Sequence, residues 1–144
     1  MARSVLLAGA VTLAVGGFVA IGISLVGLGQ LKSLLPPLAI TDAALGGAVL
    51  AIGLGLLAVA AIHATVLMGL RARRRVAWTG GVLLTIGMGA TLVALAAASA
   101  TSVAVSPERL LAFLAATIGT ALAAAAYAVA AIELVGELRS GSVI

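Results

Sequence analysis

GLRARRRVAW, residues 69–78, carries four of the chain's eight basic residues. The stretches before and after it are almost wholly apolar. A short basic segment between two long apolar ones reads as the link of a helical hairpin in a membrane. The arginines then sit at headgroup level, because guanidinium groups are too costly to hold in hydrocarbon. That reading decides the fold, and the rest of the 144 residues agrees with it.

The chain is 64% hydrophobic and 8% charged, whereas soluble domains are about 25% charged. It has no Asn, no Cys and one Gln. There are too few polar side chains to cover a water-facing surface, so the expected solvent is the lipid bilayer. The net charge of +4 does not point to nucleic acid. Only 3% of residues are aromatic, which leaves no platform for base stacking, and the basic residues fall at the ends of apolar runs. In that position they orient the chain and can touch anionic headgroups. The lack of cysteine excludes disulfides, thiol catalysis, iron–sulfur ligation and cysteine zinc sites.

Charged residues divide the chain into four uncharged segments, 4–31, 43–70, 76–107 and 110–132, taking His63 as neutral. Each exceeds the roughly 20 residues that cross a ~30 Å hydrocarbon core. The pattern predicts an all-α integral membrane protein, a single four-helix transmembrane bundle over 1–144, with helices at 4–29, 43–70, 76–100 and 107–135. The first apolar stretch is too long for a signal peptide, whose apolar region runs about 7–15 residues, and is read as a retained helix. Pro36 and Pro37 separate the first two spans, and Thr41 or Asp42 can cap the second. Ser106, Pro107 and Glu108 form a helix-start signature for the fourth. Gly16–Gly17 and Gly80–Gly81 leave room for local bending.

With four spans, both termini and the 69–78 link share one side. That side carries Arg3, Arg71, Arg73, Arg74, Arg75 and Arg139, against Lys32 and Arg109 opposite. The asymmetry places both termini in the cytoplasm. Trp78 is placed as an interfacial anchor. Arg71, Arg73, Arg74 and Arg75 chiefly fix orientation, with contact to headgroups or a partner as their further use. Abundant alanine and a seven-to-one excess of arginine over lysine suit a GC-rich prokaryotic genome, and hence a prokaryotic cell membrane.

Lipid tails are as apolar as leucine, so helices associate in membranes largely through close approach at small residues. Three stripes at helical spacing are the expected packing faces: Gly9, Gly16, Ala20 and Gly27 on the first helix; Gly47, Ala51, Gly55, Ala58 and Thr65 on the second; Ala112, Ala116, Thr120 and Ala123 on the fourth.

Few polar groups lie at membrane depth. His63 stands eight residues before Arg71, about 12 Å inside the arginine end, and roughly 160° around its helix from the Gly47–Gly55 stripe. It reads either as a neutral histidine bonded to Thr, Tyr or a backbone carbonyl, as an axial ligand for haem or chlorophyll, or as part of a transport path. Tyr127 lies at a similar depth and is a candidate hydrogen-bond partner for His63 and, with His63 and Glu133, a candidate transport or proton-site residue. Glu133 and Glu137, one turn apart, either pair with the 71–75 arginines or form a proton or cation site, with Glu133 the deeper. The hydroxyls, among them Ser24, Thr65, Thr85, Thr91, Thr117 and Thr120, are expected to bond their own helix backbones.

The chain has one histidine, and all four carboxylates stand at span ends. Neither a nucleophile–base pair nor a metal-ligand cluster can be assembled from these residues, so no enzymatic activity and no metal are expected. Proton-coupled transporters commonly keep a carboxylate near the midplane, and none is present. The expected role is an accessory or structural subunit that binds lipid, another membrane protein or a second copy through small-residue faces. A small oligomeric channel or transporter with a path near His63 and Glu133 is one alternative, and a haem- or chlorophyll-binding subunit using His63 is another.

Overall fold

The computed structural model describes residues 1–34, 41–105 and 110–140. These are helical almost throughout, with no strand among them. Helix α1 covers Ala2–Gly22, a π-helical turn covers Ile23–Gly27, and α2 covers Leu28–Leu34. Helices α3 (Asp42–Arg71), α4 (Arg75–Val105) and α5 (Leu110–Arg139) follow. Four stretches are long and apolar enough to cross a membrane: Ala2–Leu31, Asp42–Arg71, Arg75–Thr101 and Leu110–Arg139. They match the four expected spans and fit a four-helix bundle. At Arg3, Arg71, Arg75 and Arg139 the helices run past the expected ends, where an arginine stem can lie along an apolar helix surface while its charge reaches water. Pro36, Pro37 and residues 106–109, including the cap expected at Ser106 and Pro107, lie outside the described residues.

Thr41 starts α3. Its side-chain oxygen accepts from the Ala44 N–H at 3.3 Å and its carbonyl from the Leu45 N–H at 3.0 Å. The first contact satisfies a donor that the first turn leaves without a helical partner, and the second is the first bond of the helix itself.

Two compact units make up the chain: Met1–Leu6 with Val66–Ile144, and Leu7–Thr65. In the second unit α1 and α3 meet at glycine. A Cβ on Gly17 would lie 2.9 Å from the Gly53 carbonyl oxygen, and one on Gly53 would lie 2.9 Å from that of Gly17. Only a residue without a side chain allows the two backbones so close. Nearby, the Ser24 hydroxyl donates to the Gly46 carbonyl of α3 at 2.9 Å. Ser24 thus ties two helices together, instead of bonding its own backbone as expected. It does so from within the π-helical turn, so the helical irregularity falls at 23–27 and not at the expected glycine pairs.

The α3 stripe needs correction. Its buried residues are Gly46, Gly53, Ala60, His63, Leu67 and Leu70, spaced in sevens with fours and threes between. That spacing puts them on one face of the helix, its packing seam. Gly47, Ala51, Gly55, Ala58 and Thr65 are exposed, and a Cβ on Gly47 or Gly55 would meet nothing within 4 Å. On α5, Ala112 and Ala116 are likewise exposed, and the buried face runs through Ala124, Tyr127, Ala130, Ala131 and Leu134. The α1 stripe fares better, since Gly9, Gly16, Ala20 and Gly27 are half-buried.

In the first unit, Ala72–Arg74 link α3 to α4. The Arg74 N–H donates to the Gly69 carbonyl at 3.0 Å and the Arg73 N–H to the Leu70 carbonyl at 3.3 Å. This is a Schellman close, which needs a left-handed residue at the position Arg73 holds. Arg73 adopts φ 53°, a conformation costing a non-glycine residue about 1–2 kcal/mol. Gly69 is required on the other side of the turn, because a Cβ there would collide with the Ala77 Cβ.

Candidate functional site

Among the described residues, the first unit gathers its charged groups at one end. Arg3, Arg71, Arg73, Arg74, Arg75 and Arg139 are all exposed. Met1–Leu6, the α3–α4 link and the last turns of α5 meet in one cluster, whose buried members include Ala2, Leu6, Leu70, Trp78 and Leu134. The segments expected on one side of the membrane therefore do come together.

Trp78 is 4% exposed and packed in this cluster. It is a core residue, and the belt position expected for it is corrected. Among the described residues its indole Nε1–H has no acceptor. The ring's large apolar area outweighs that one lost hydrogen bond, since an unpaired buried donor costs about 1–3 kcal/mol.

Glu133 does not pair with the 71–75 arginines. One carboxylate oxygen accepts from the Met1 ammonium at 3.0 Å, and the other accepts from the Ala2 N–H. The carboxylate thus caps α1, whose first N–H groups lack helical partners and whose dipole favours a negative charge at that end. An α-amino group has no letter in a sequence, so residue types alone do not show this partner. The even number of spans could have suggested it, since it returns the start of the chain to the end where Glu133 stands. Glu137 is half-buried, two residues before Arg139.

Tyr127 is buried in the first unit, on the α5 face turned to α4. A Cβ on Gly89 would lie 3.8 Å from the Tyr127 Cβ. His63 belongs to the second unit and is 0% exposed. Its Nδ1–H donates to the Val59 carbonyl at 2.9 Å, one turn earlier on α3. Thr65, Thr85, Thr91, Thr117 and Thr120 also bond carbonyls of the preceding turn. In-helix bonding of this kind satisfies a hydroxyl where no water is available. No group of three or more His, Cys, Asp or Glu able to hold a metal occurs among the described residues.

These features define a small polytopic membrane protein with a cationic end. Comparison with protein-family models, with curated proteins and with solved structures finds no match.

Proposed function

We propose that the chain is a non-enzymatic accessory or structural subunit of a membrane complex, seated with its arginine end in the cytoplasm of a prokaryotic cell. The carrying observation is the outward stripe of α3. Gly47, Ala51, Gly55 and Ala58 are exposed, and neither glycine has a neighbour within 4 Å of where its Cβ would be. Glycine costs helix stability of roughly 1 kcal/mol relative to alanine. A glycine-bearing stripe on an unpacked face therefore suits a second helix that needs close backbone approach. Arg71, Arg73, Arg74 and Arg75, all exposed, would orient the subunit and contact headgroups or the partner's acidic groups.

The test is extraction in mild detergent, comparing the unaltered chain with Gly55→Leu. The proposal predicts a stoichiometric membrane partner that Gly55→Leu removes while the variant's own thermal stability stays the same. If every partner survives the substitution, or none is present at the outset, the proposal fails.

A channel or transporter path near His63 and Glu133 draws its support from a histidine wholly buried at membrane depth, where ionisable groups are costly to keep. Flux through proteoliposomes that His63→Ala abolishes would establish that reading. The haem or chlorophyll reading has the same residue as its ligand, and a porphyrin would require His63 to become exposed.

A further inference from the structure

Along the α4–α5 pair runs a groove whose floor is made of small residues. Toward the arginine end it encloses about 390 Å³ and is lined by Ile86, Ala131, Ile132, Val135, Gly136 and Arg139. Beyond Ile86, Ala131 and Ile132 it continues into a wider stretch of about 690 Å³ over Gly89, Ala124 and Ala128. The lining is apolar apart from the guanidinium at its mouth and Thr85, whose hydroxyl donates to the Gly81 carbonyl. We infer that this groove binds an anionic phospholipid, with the phosphate on Arg139 and one acyl chain lying along Gly136, Ile132 and Ala131.

Three observations carry the inference. First, Arg139 is exposed and has no ion-pair partner among the described residues. Glu137 is two positions away on the helix, and residues so spaced do not share a face. Glu133 is engaged by the Met1 ammonium.

Second, the lengths agree. Ala131 to Arg139 covers about 12 Å of helix, close to one leaflet of a ~30 Å core. A chain whose phosphate sits at Arg139 therefore runs the lower groove and ends in the wider part.

Third, the charge selects the occupant. Two copies packed groove to groove about a twofold axis would set both Arg139 side chains at one depth, with like charges facing. An anionic headgroup removes that repulsion and gains the field of the neighbouring arginines. The inference is separate from the partner face on α3. It requires only that α4 and α5 cross a bilayer.

Native mass spectrometry of the full chain, released from micelles holding equal phosphatidylglycerol and phosphatidylcholine, tests it. The expected spectrum shows one retained phosphatidylglycerol in several-fold excess over phosphatidylcholine. Arg139→Gln should remove that excess. Gly136→Leu should lower retention of both lipids, since a Cβ at Gly136 meets nothing within 4 Å and the new side chain can enter the groove without disturbing the fold. Arg74→Gln should leave the excess in place, and added glycerol phosphate should not compete. Equal retention of the two lipids, an excess that survives Arg139→Gln, or dimers in place of lipid-bound monomers would each overturn the inference.

Discussion

Gly53→Leu is expected to destabilise the protein by about 3 kcal/mol, at the upper end of what overpacking usually costs. The cost is high because the obstruction is backbone. A Cβ at position 53 would lie 2.9 Å from the Gly17 carbonyl oxygen and 3.1 Å from the Ile21 N. Side chains can rotate away from an intruding atom, but two helix backbones can only separate. Separation would also strain the Ser24–Gly46 hydrogen bond that ties the same two helices. Denaturant titration in bicelles, with Gly55→Leu as the control, reads the effect. Position 55 lies on the same helix, but a Cβ there meets nothing within 4 Å, so that variant should unfold with the unaltered protein. Equal losses for the two substitutions would mean that the Gly17–Gly53 crossing is not where these helices meet.

The second large effect is expected at Leu134, which is 1% exposed and packs with Leu6, Leu70 and Trp78 at the arginine end. In water-soluble proteins a buried Leu→Ala substitution costs about 2–5 kcal/mol, part of it transfer from water and part the cavity left behind. In a membrane the unpacked leucine rests in lipid, so most of the transfer part disappears and the cavity remains. Leu134→Ala should therefore cost about 2 kcal/mol, near the bottom of that range. The site also predicts coupling. A Cβ on Gly81 would be 3.1 Å from the Leu134 Cδ1, so Gly81→Ala should be less harmful beside Leu134→Ala than alone. Denaturant titration of the two single variants and the double variant measures this, and strict additivity would contradict it.

The spans were legible from charge alone, because an arginine or glutamate inside hydrocarbon is costly enough to mark each segment's limits. The faces were not. In a soluble helix, polar residues mark the outside, but here both sides of each helix are apolar and both carry small residues. The Gly47–Gly55 stripe and the Gly46–Gly53–Ala60 seam are equally regular in the sequence, and only the second is buried. His63 held the clue. A polar ring avoids lipid, so its face had to be the inner one, and that face is the seam. Trp78 misled through the opposite assumption, that an aromatic beside arginines belongs to the interface. One bond had no pattern to find, the Ser24 hydroxyl to an α3 carbonyl; the contact of the Glu133 carboxylate with the amino terminus was open only to an argument from the even number of spans.

Site-directed accessibility labelling tests the central claim, a chain that crosses the bilayer four times with its arginine-rich segments on one side. The sequence has no cysteine, so single cysteines can be introduced without background. In sealed vesicles, Arg73→Cys and Ser140→Cys should react with a membrane-impermeant thiol reagent from the same side, Thr41→Cys from the other, and Gly55→Cys from neither. Reaction of Arg73→Cys and Ser140→Cys from opposite sides, or ready labelling of Gly55→Cys from the aqueous phase, would contradict it.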